Sequence, residues 1–351
     1  MKLVIFGLSI SSSWGNGHAT LWRGLCRSLA GRGHDIAFFE RDVPYYADHR
    51  DLIEMPGLRL CLYPNWDEVL PAARAELEGA DAAIVTSYCP DAIAAADLAL
   101  SSRARSVFYD LDTPVTLDRL RSGQPVEYIG PRGLCDFDLV LSYTGGTALS
   151  QLRERLGARR VFPLYGSVDP DVHRRVPALE RFRADLSYLG TYAADRQAAL
   201  EELFIGPARR LPERRFVLGG ALYPQDFSWT ENIYFVRHLP PAEHPAFYSS
   251  SLLTLNVTRR AMAQMGYCPS GRLFEAAACG TPVLSDRWDG LEQFFEPGRE
   301  ILIACDTAGA IEAMRTPREE LDRIGRRARE RTLAEHTAAR RAGELEHYLE
   351  V

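Results

Sequence analysis

The chain has 351 residues, 46% hydrophobic and 25% charged, and its 41 basic against 47 acidic side chains leave a net charge of −6. At about 150 residues per domain this length asks for two cores, and the mix excludes a disordered chain, a collagen-like repeat and a disulfide miniprotein. The mildly acidic balance makes nucleic acid an unexpected partner, and no stretch reaches the ~20 apolar residues of a membrane span.

The opening run 1–7 is apolar, but polar Ser11, Ser12, Ser13 and Asn16 follow too soon for a signal peptide. It reads as a first buried strand. The seven cysteines are scattered and form no Cys-x-x-Cys pair, so neither a cysteine zinc site nor a disulfide framework is expected. A reducing cytoplasm is the expected location.

Further strands are expected at 35–40, 58–63, 82–87, 106–110 and 139–143, all rich in Val, Ile, Phe and Tyr. Helices are expected between them at 17–31, 67–77, 91–100 and 147–156, the first closed by Gly31 and Gly33. Pro163, Gly166, Asp169-Pro170 and Pro177 then crowd together, so no regular element should cross this stretch. Beyond it, strands at 185–190, 215–218, 233–236, 252–257, 282–285 and 301–304 alternate with helices near 195–210, 243–250, 270–279 and 307–315. From Arg318 onward the chain reads as a charged helical tail with a solvated face. Alternating strand and helix predicts an α/β protein of two doubly wound, Rossmann-like parallel-sheet domains facing across a cleft. The expected division is a first domain over 1–165, a linker over 166–184, a second domain over 185–330 and a C-terminal helix over 331–351. That last helix has the first domain as its candidate packing surface.

Four strand-to-helix connections carry candidate chemistry. Ligands of open parallel sheets sit outside the carboxyl ends of the strands. The first connection holds Gly15, Asn16, Gly17 and His18, ahead of the first helix. Its Gly15-x-Gly17 lacks the third glycine of a dinucleotide fingerprint, and Thr20 stands there. In the first helical turn the helix dipole disfavours a protonated histidine, and a neutral imidazole can donate or accept near a ligand. Equally, it can serve as a capping or surface group. The second connection is Tyr109-Asp110-Leu111-Asp112-Thr113-Pro114, where Asp112 stands at the sheet edge as a base, a sugar-hydroxyl acceptor or an Asx-type turn. The third, Ser142 to Thr147 through Gly145-Gly146, is a glycine turn with little specificity.

The fourth is the most specific. In Pro269-Ser270-Gly271-Arg272-Leu273-Phe274-Glu275-Ala276-Ala277-Ala278-Cys279-Gly280-Thr281-Pro282, a helix opens at Ser270 and Gly271. Its free first-turn amides and Arg272 suit a phosphate. Glu275, one turn on, suits a ribose diol. Three alanines keep the helix slim, and Gly280 and Pro282 end it.

This string resembles the donor-nucleotide motif of GT-B glycosyltransferases, above all glycosyltransferase family 4. Several further segments resemble the CgeB-like, spore-maturation type of glycosyltransferase: Tyr109 to Thr116, Tyr165 to Pro170, Tyr188 to Tyr192, Leu255 to Arg259 and Phe294 to Glu300. The resemblance implies hexosyl transfer from a nucleotide-diphosphate sugar, with no cofactor and no metal. The acceptor would be a small molecule, a glycan or a peptide. It implies that Glu275 binds the ribose and that Gly190, Thr191 and Arg196 hold phosphates. His238 and Leu239 would pack the nucleobase, Ser270, Gly271, Arg272 and Leu273 would complete the donor site, and Gly15 to His18 would close over the donor. Tyr267 stands where family 4 has its first, sugar-contacting glutamate. Asp110-Leu111-Asp112 is formally Asp-x-Asp but falls in the acceptor-side domain, and is read as no metal motif.

The implied chemistry is stabilisation of a departing diphosphate by Arg272, Arg196 and helix amides, with Asp112 or His18 as base if configuration inverts. Two other readings stay open. A nicotinamide-dependent oxidoreductase would use Gly15-x-Gly17 and Glu40, the acid at the end of the second strand. A sugar-binding relative without activity would account for Tyr267.

Overall fold

The computed structural model describes residues 1–351 and contains two units, Met1–Tyr165 with Ala338–Val351, and Gly166–Thr337. The first unit is built on seven strands: β1 Lys2–Phe6, β2 Asp35–Arg41, β3 Leu58–Tyr63, β4 Ala82–Thr86, β5 Arg105–Asp110, β6 Leu139–Ser142 and β7 Val161–Pro163. All pair in parallel, in the order β3-β2-β1-β4-β5-β6-β7. Helices cover both faces, so β1, β2 and β4 carry the unbroken apolar runs Leu3–Phe6, Ile36–Phe39 and Ala82–Val85; Leu3, Val4, Ile5 and Phe6 are wholly buried.

The second unit repeats the plan with β8 Ala184–Leu189, β9 Phe216–Gly220, β10 Ile233–Arg237, β11 Ser251–Asn256, β12 Val283–Ser285 and β13 Leu302–Ile303. Its parallel order is β10-β9-β8-β11-β12-β13. In both units the strand order reverses beside the first strand, at β1 between β2 and β4 and at β8 between β9 and β11. The loops leaving β1, β4, β8 and β11 therefore flank a topological switch point, where open sheets of this kind take their ligands. Both sheets are the doubly wound, Rossmann-like α/β sheets that the alternation predicts.

Four local features differ from expectation. Thr113–Arg121 is a helix, although Pro114 reads as a breaker. Proline in the first helical turn loses only an amide that has no intrahelical acceptor, and its φ is already helical. β7 ends on Pro163 within the stretch expected to be irregular. It is an edge strand paired only to β6, where a missing N–H is tolerated. The helical stretch 195–210 contains a wide π-type turn, Glu201–Ile205, ahead of Gly206-Pro207, where the ring nitrogen cannot donate. The charged tail is two helices, Arg318–Glu335 and Ala338–Glu350, interrupted at His336 and Thr337.

The break has a structural consequence. The residues up to Thr337 count with the second unit, whereas Ala338–Val351 count with the first. The division expected at 330 thus falls inside a helix, and 166–184 belongs to the second unit. The last helix packs on His18–Gly31. There Glu346 bonds Arg32 and lies 2.6 Å from His34 Nε2, and these partners, Arg32 first, hold its carboxyl down to about 2. Phe162 and Tyr348 stack at 4.7 Å. No helix of the chain is long and apolar enough to cross a membrane.

Candidate active site

In the first unit the long loop after β1 is tied down by one buried carboxylate. Glu40, at the end of β2, accepts from Ser9 Oγ at 2.7 Å, Ile10 N at 2.8 Å, Ser11 N at 3.0 Å and Ser11 Oγ at 2.5 Å. It is 1% exposed. Asn16 is similarly engaged. Its Nδ2 donates to the Ser9 and Ser12 carbonyls, and its Oδ1 accepts from the His18 amide at 3.0 Å. Asn16 therefore accepts from the first helical amide and shapes the loop. Gly15 sits at φ +59°, and a Cβ there would lie 2.7 Å from the Tyr45 hydroxyl. Gly17 is the N-cap residue, and a Cβ on it would meet nothing. Glu40→Ala would leave two buried amides and two hydroxyls without their acceptor. A loss of about 3 kcal/mol or more is expected in urea unfolding.

The order β1-β4-β5 brings the loops after these strands together. His18 Nε2 lies 3.7 Å from Asp112 Oδ1, with both side chains largely shielded. Asp112 is the N-cap residue of Thr113–Arg121, but its side chain makes no cap bond. The Asx-turn reading therefore gives way: the carboxylate is directed to His18 and Tyr88. Burial, then the Asp112 carboxylate, pushes the Tyr88 phenol far above its ordinary pKa, so it stays a donor. Asp110 is different. It is wholly buried, its Oδ1 accepts from the Asp112 amide at 3.2 Å, and burial pushes it up to about 6. Behind it, Gly145 leaves room for the Tyr165 hydroxyl, which would stand 2.0 Å from a Cβ.

In the second unit two arginines converge on Tyr188 of β8. Arg196 Nη1 donates to the Tyr188 hydroxyl at 3.2 Å, and Arg272 lies 5.0 Å over the ring. Arg272 Nε also donates to the Leu189 carbonyl, and Nη1 to Asn256 Oδ1 at 3.0 Å. A carbonyl, an amide and a ring fix this guanidinium without neutralising it. Gly190 is where the arginine crosses: a Cβ there would meet Tyr188 Oη at 2.7 Å and Arg272 Nη2 at 2.9 Å. Its own amide donates to the Gly219 carbonyl, and its carbonyl accepts from Tyr223 Oη. Thr191 follows, half-buried. His238, at φ +47°, donates its amide to the Gly220 carbonyl, and Leu239 is buried beside it.

The helix Gly271–Ala278 opens at Ser270, whose hydroxyl makes no cap bond. Leu273 is fully buried, and its amide donates to the Ser270 carbonyl, so its role is in the core. Glu275 is buried between two histidines, with His173 Nε2 at 3.9 Å and His244 Nδ1 at 3.6 Å. Tyr248 lies against it, its phenol raised well above the usual value by burial and then by Glu275. Tyr267, at φ +49°, rests on Gly290, where a Cβ would fall 2.3 Å from its ring.

Sequence reading missed His173, His244 and Tyr248. Tyr188 and Asn256 lay in quoted segments without a role. Only Val168-Asp169-Pro170-Asp171-Val172-His173, a histidine closing a proline turn, carried a local signal, and it named no partner.

The profile of a family described as Glycosyl transferase-like matches residues 196–347. No curated protein sequence matches. Among solved structures, the chain is similar to sucrose-phosphate synthase from Thermosynechococcus elongatus, with TM-score 0.72, 16% identity, and 100% of this chain and 99% of that one covered. It is also similar to Anabaena Alr3699/HepE, solved with UDP and glucose, at TM-score 0.70 and 14% identity over 100% and 99% of the chains. A third is the T4 phage β-glucosyltransferase, at TM-score 0.63 and 14% identity over 100% of both. The chain thus has a GT-B fold, and its residues 196–347 resemble the glycosyl transferase-like family.

Proposed function

We propose that this glycosyltransferase moves a sugar from a UDP-sugar to an acceptor hydroxyl, and that the acceptor is a small molecule, glycan or peptide. The observation that carries the reading is the pair Arg272 and Arg196 gathered at Tyr188, with Arg272 crossing Gly190 one helical turn ahead of Glu275. Two guanidiniums and a helix N-terminus suit a diphosphate, and a buried carboxylate beside them suits the ribose. The choice of uridine is supported by the neighbour solved with UDP and glucose. In this reading His238 and Leu239 carry the base, and the departing diphosphate is stabilised by arginine and amides without a metal. The first unit holds the acceptor near His18 and Asp112, where Trp14, Tyr45, Tyr46 and Tyr88 offer rings for a sugar to stack on.

The CgeB-like subtype is part of the same proposal and rests on the segments quoted above. The oxidoreductase reading loses its ribose-binding acid, because all four bonds of Glu40 go to the loop after β1. Calorimetry and thermal shift with UDP, GDP and NAD test the proposal. UDP should raise the unfolding midpoint, since a ligand that binds only the native state stabilises it, and NAD should not. Glu275→Ala should weaken UDP roughly 10–100-fold through lost hydrogen bonds to the diol. Unchanged UDP affinity would remove Glu275 from the donor site. Release of sugar from the UDP-sugar without acceptor separates an enzyme from an inactive relative, and turnover that survives EDTA supports metal independence.

A further inference from the structure

Glu275 and its two histidines have an electrostatic problem that a nucleotide alone does not define. His244 Nε2 lies 3.2 Å from the Leu239 carbonyl, which can only accept, so this nitrogen carries the hydrogen. In the neutral ring Nδ1 then presents a lone pair, and it faces Glu275 Oε2 at 3.6 Å with no hydrogen-bond partner of its own. His173 is 3% exposed, and neither of its ring nitrogens has a hydrogen-bond partner. Its Nε2 points at the other carboxylate oxygen, Oε1, at 3.9 Å. An Nδ1 lone pair, a carboxylate and an imidazole without any hydrogen-bond partner thus share one buried place, where a cation between them would engage all three.

We infer that His173, His244 and Glu275 form a binding site for a divalent transition metal ion of the zinc type, and that the ion and the ribose of the donor exclude each other. One ligand atom from each residue lies within 4.8 Å of the others. Tetrahedral zinc with bonds of about 2.0–2.2 Å sets ligand atoms about 3.3–3.6 Å apart, so small side-chain rotations close the site. Two imidazoles and a carboxylate suit zinc rather than magnesium or calcium, which prefer oxygen alone. The Leu239 carbonyl supplies the outer-shell bond that fixes the tautomer of a metal-binding histidine. Three protein ligands leave a fourth position open. The metal half of the inference stands without any donor assignment. The exclusion half rests on Glu275 holding the ribose. Zinc would then act as an inhibitor of a transferase that needs no metal for its chemistry.

The experiment uses the full chain, stripped with EDTA and dialysed. Zinc is titrated by calorimetry and cobalt by its visible absorption. The expected result is saturable uptake of a single equivalent, weakened roughly 10–100-fold in His173→Gln and in His244→Gln. Magnesium should not compete. X-ray absorption of the zinc-loaded wild type should show two imidazoles and oxygen, a readout that needs no variant to fold. Absence of saturable uptake, uptake unchanged in both variants, or sulfur ligation from the cysteines overturns the site. Saturating zinc should weaken UDP binding at least about tenfold, the loss expected when a key ligand is withdrawn. If zinc binds through these residues and UDP affinity is unmoved, the exclusion is wrong and the metal site stands. If UDP binds and zinc does not, the metal site is wrong and the donor assignment stands.

Discussion

Replacing Arg272 by Ala should lower kcat by roughly 10²–10³-fold, the cost of removing one preorganised group aimed at developing charge. Neutral groups hold the Arg272 guanidinium. Its partners are the Leu189 carbonyl, Asn256 Oδ1 and the face of Tyr188, none of them anionic, so its positive charge is held in place but not cancelled. A surface arginine would pair with a carboxylate and contribute little. Here the neighbouring Gly190 has no side chain because the arginine occupies that space. Arg272→Lys should recover little of the loss, since an ammonium cannot bond Leu189 and Asn256 together and still face a ligand. Steady-state kinetics with a UDP-sugar measures the effect, and circular dichroism with the unfolding midpoint separates it from misfolding. A folded Arg272→Ala variant with wild-type kcat would remove the phosphate role.

The second large effect is expected at Asp112. Asp112→Asn should reduce kcat by roughly 10²–10⁴-fold, the usual contribution of a positioned base, while leaving UDP affinity near wild type. The side chain does not cap its helix and instead stands 3.7 Å from His18 Nε2, with the protonated Tyr88 phenol on it. That separation is loose for a hydrogen bond, as pairs of catalytic groups often are before substrate arrives. His18→Ala should show the same pattern if histidine is the base and Asp112 its partner. A protein base of either kind supports inversion of the anomeric centre, and NMR of the first product formed reads the configuration directly. A retained configuration with a raised acceptor KM in both variants would assign the pair to acceptor binding, and full activity in both would remove it from the site.

Both predictions concern residues that the sequence already singled out, yet the reasons given for them came from different places. Ser270 to Glu275 is legible because everything it needs is local: an N-cap, free first-turn amides, and a carboxylate one turn on. Asp112 was legible only as a loop acid after an apolar run, and its pairing with His18 was not. Leu273 shows the opposite failure. It belongs to the resembling motif, but the helix turns it into the core, where its amide is already used. Asn16 likewise sits in a glycine loop that reads as ligand-facing, while its side chain bonds the loop itself.

By itself the sequence determined the class of fold. Short apolar runs alternating with amphipathic stretches can bury their surface only as parallel strands covered by helices, and the two series of such runs require two sheets. It also placed Ser270, Gly271, Arg272 and Glu275 at the start of one helix, because they are neighbours in the chain. Only the tertiary structure decided the order β3-β2-β1-β4 and β10-β9-β8-β11, and with it every meeting of distant residues: Glu40 with the first loop, His18 with Asp112, Arg196 and Arg272 at Tyr188, and His173 and His244 around Glu275. The physical reason is that periodicity records which face of an element is buried, not which element covers it. That choice is made by crossover connections and by packing between faces, and no single segment encodes it. The two-domain arithmetic of 351 residues therefore held in outline. The last helix, however, belongs to the unit that begins the chain, because its packing partners are Arg32, His34 and Phe162.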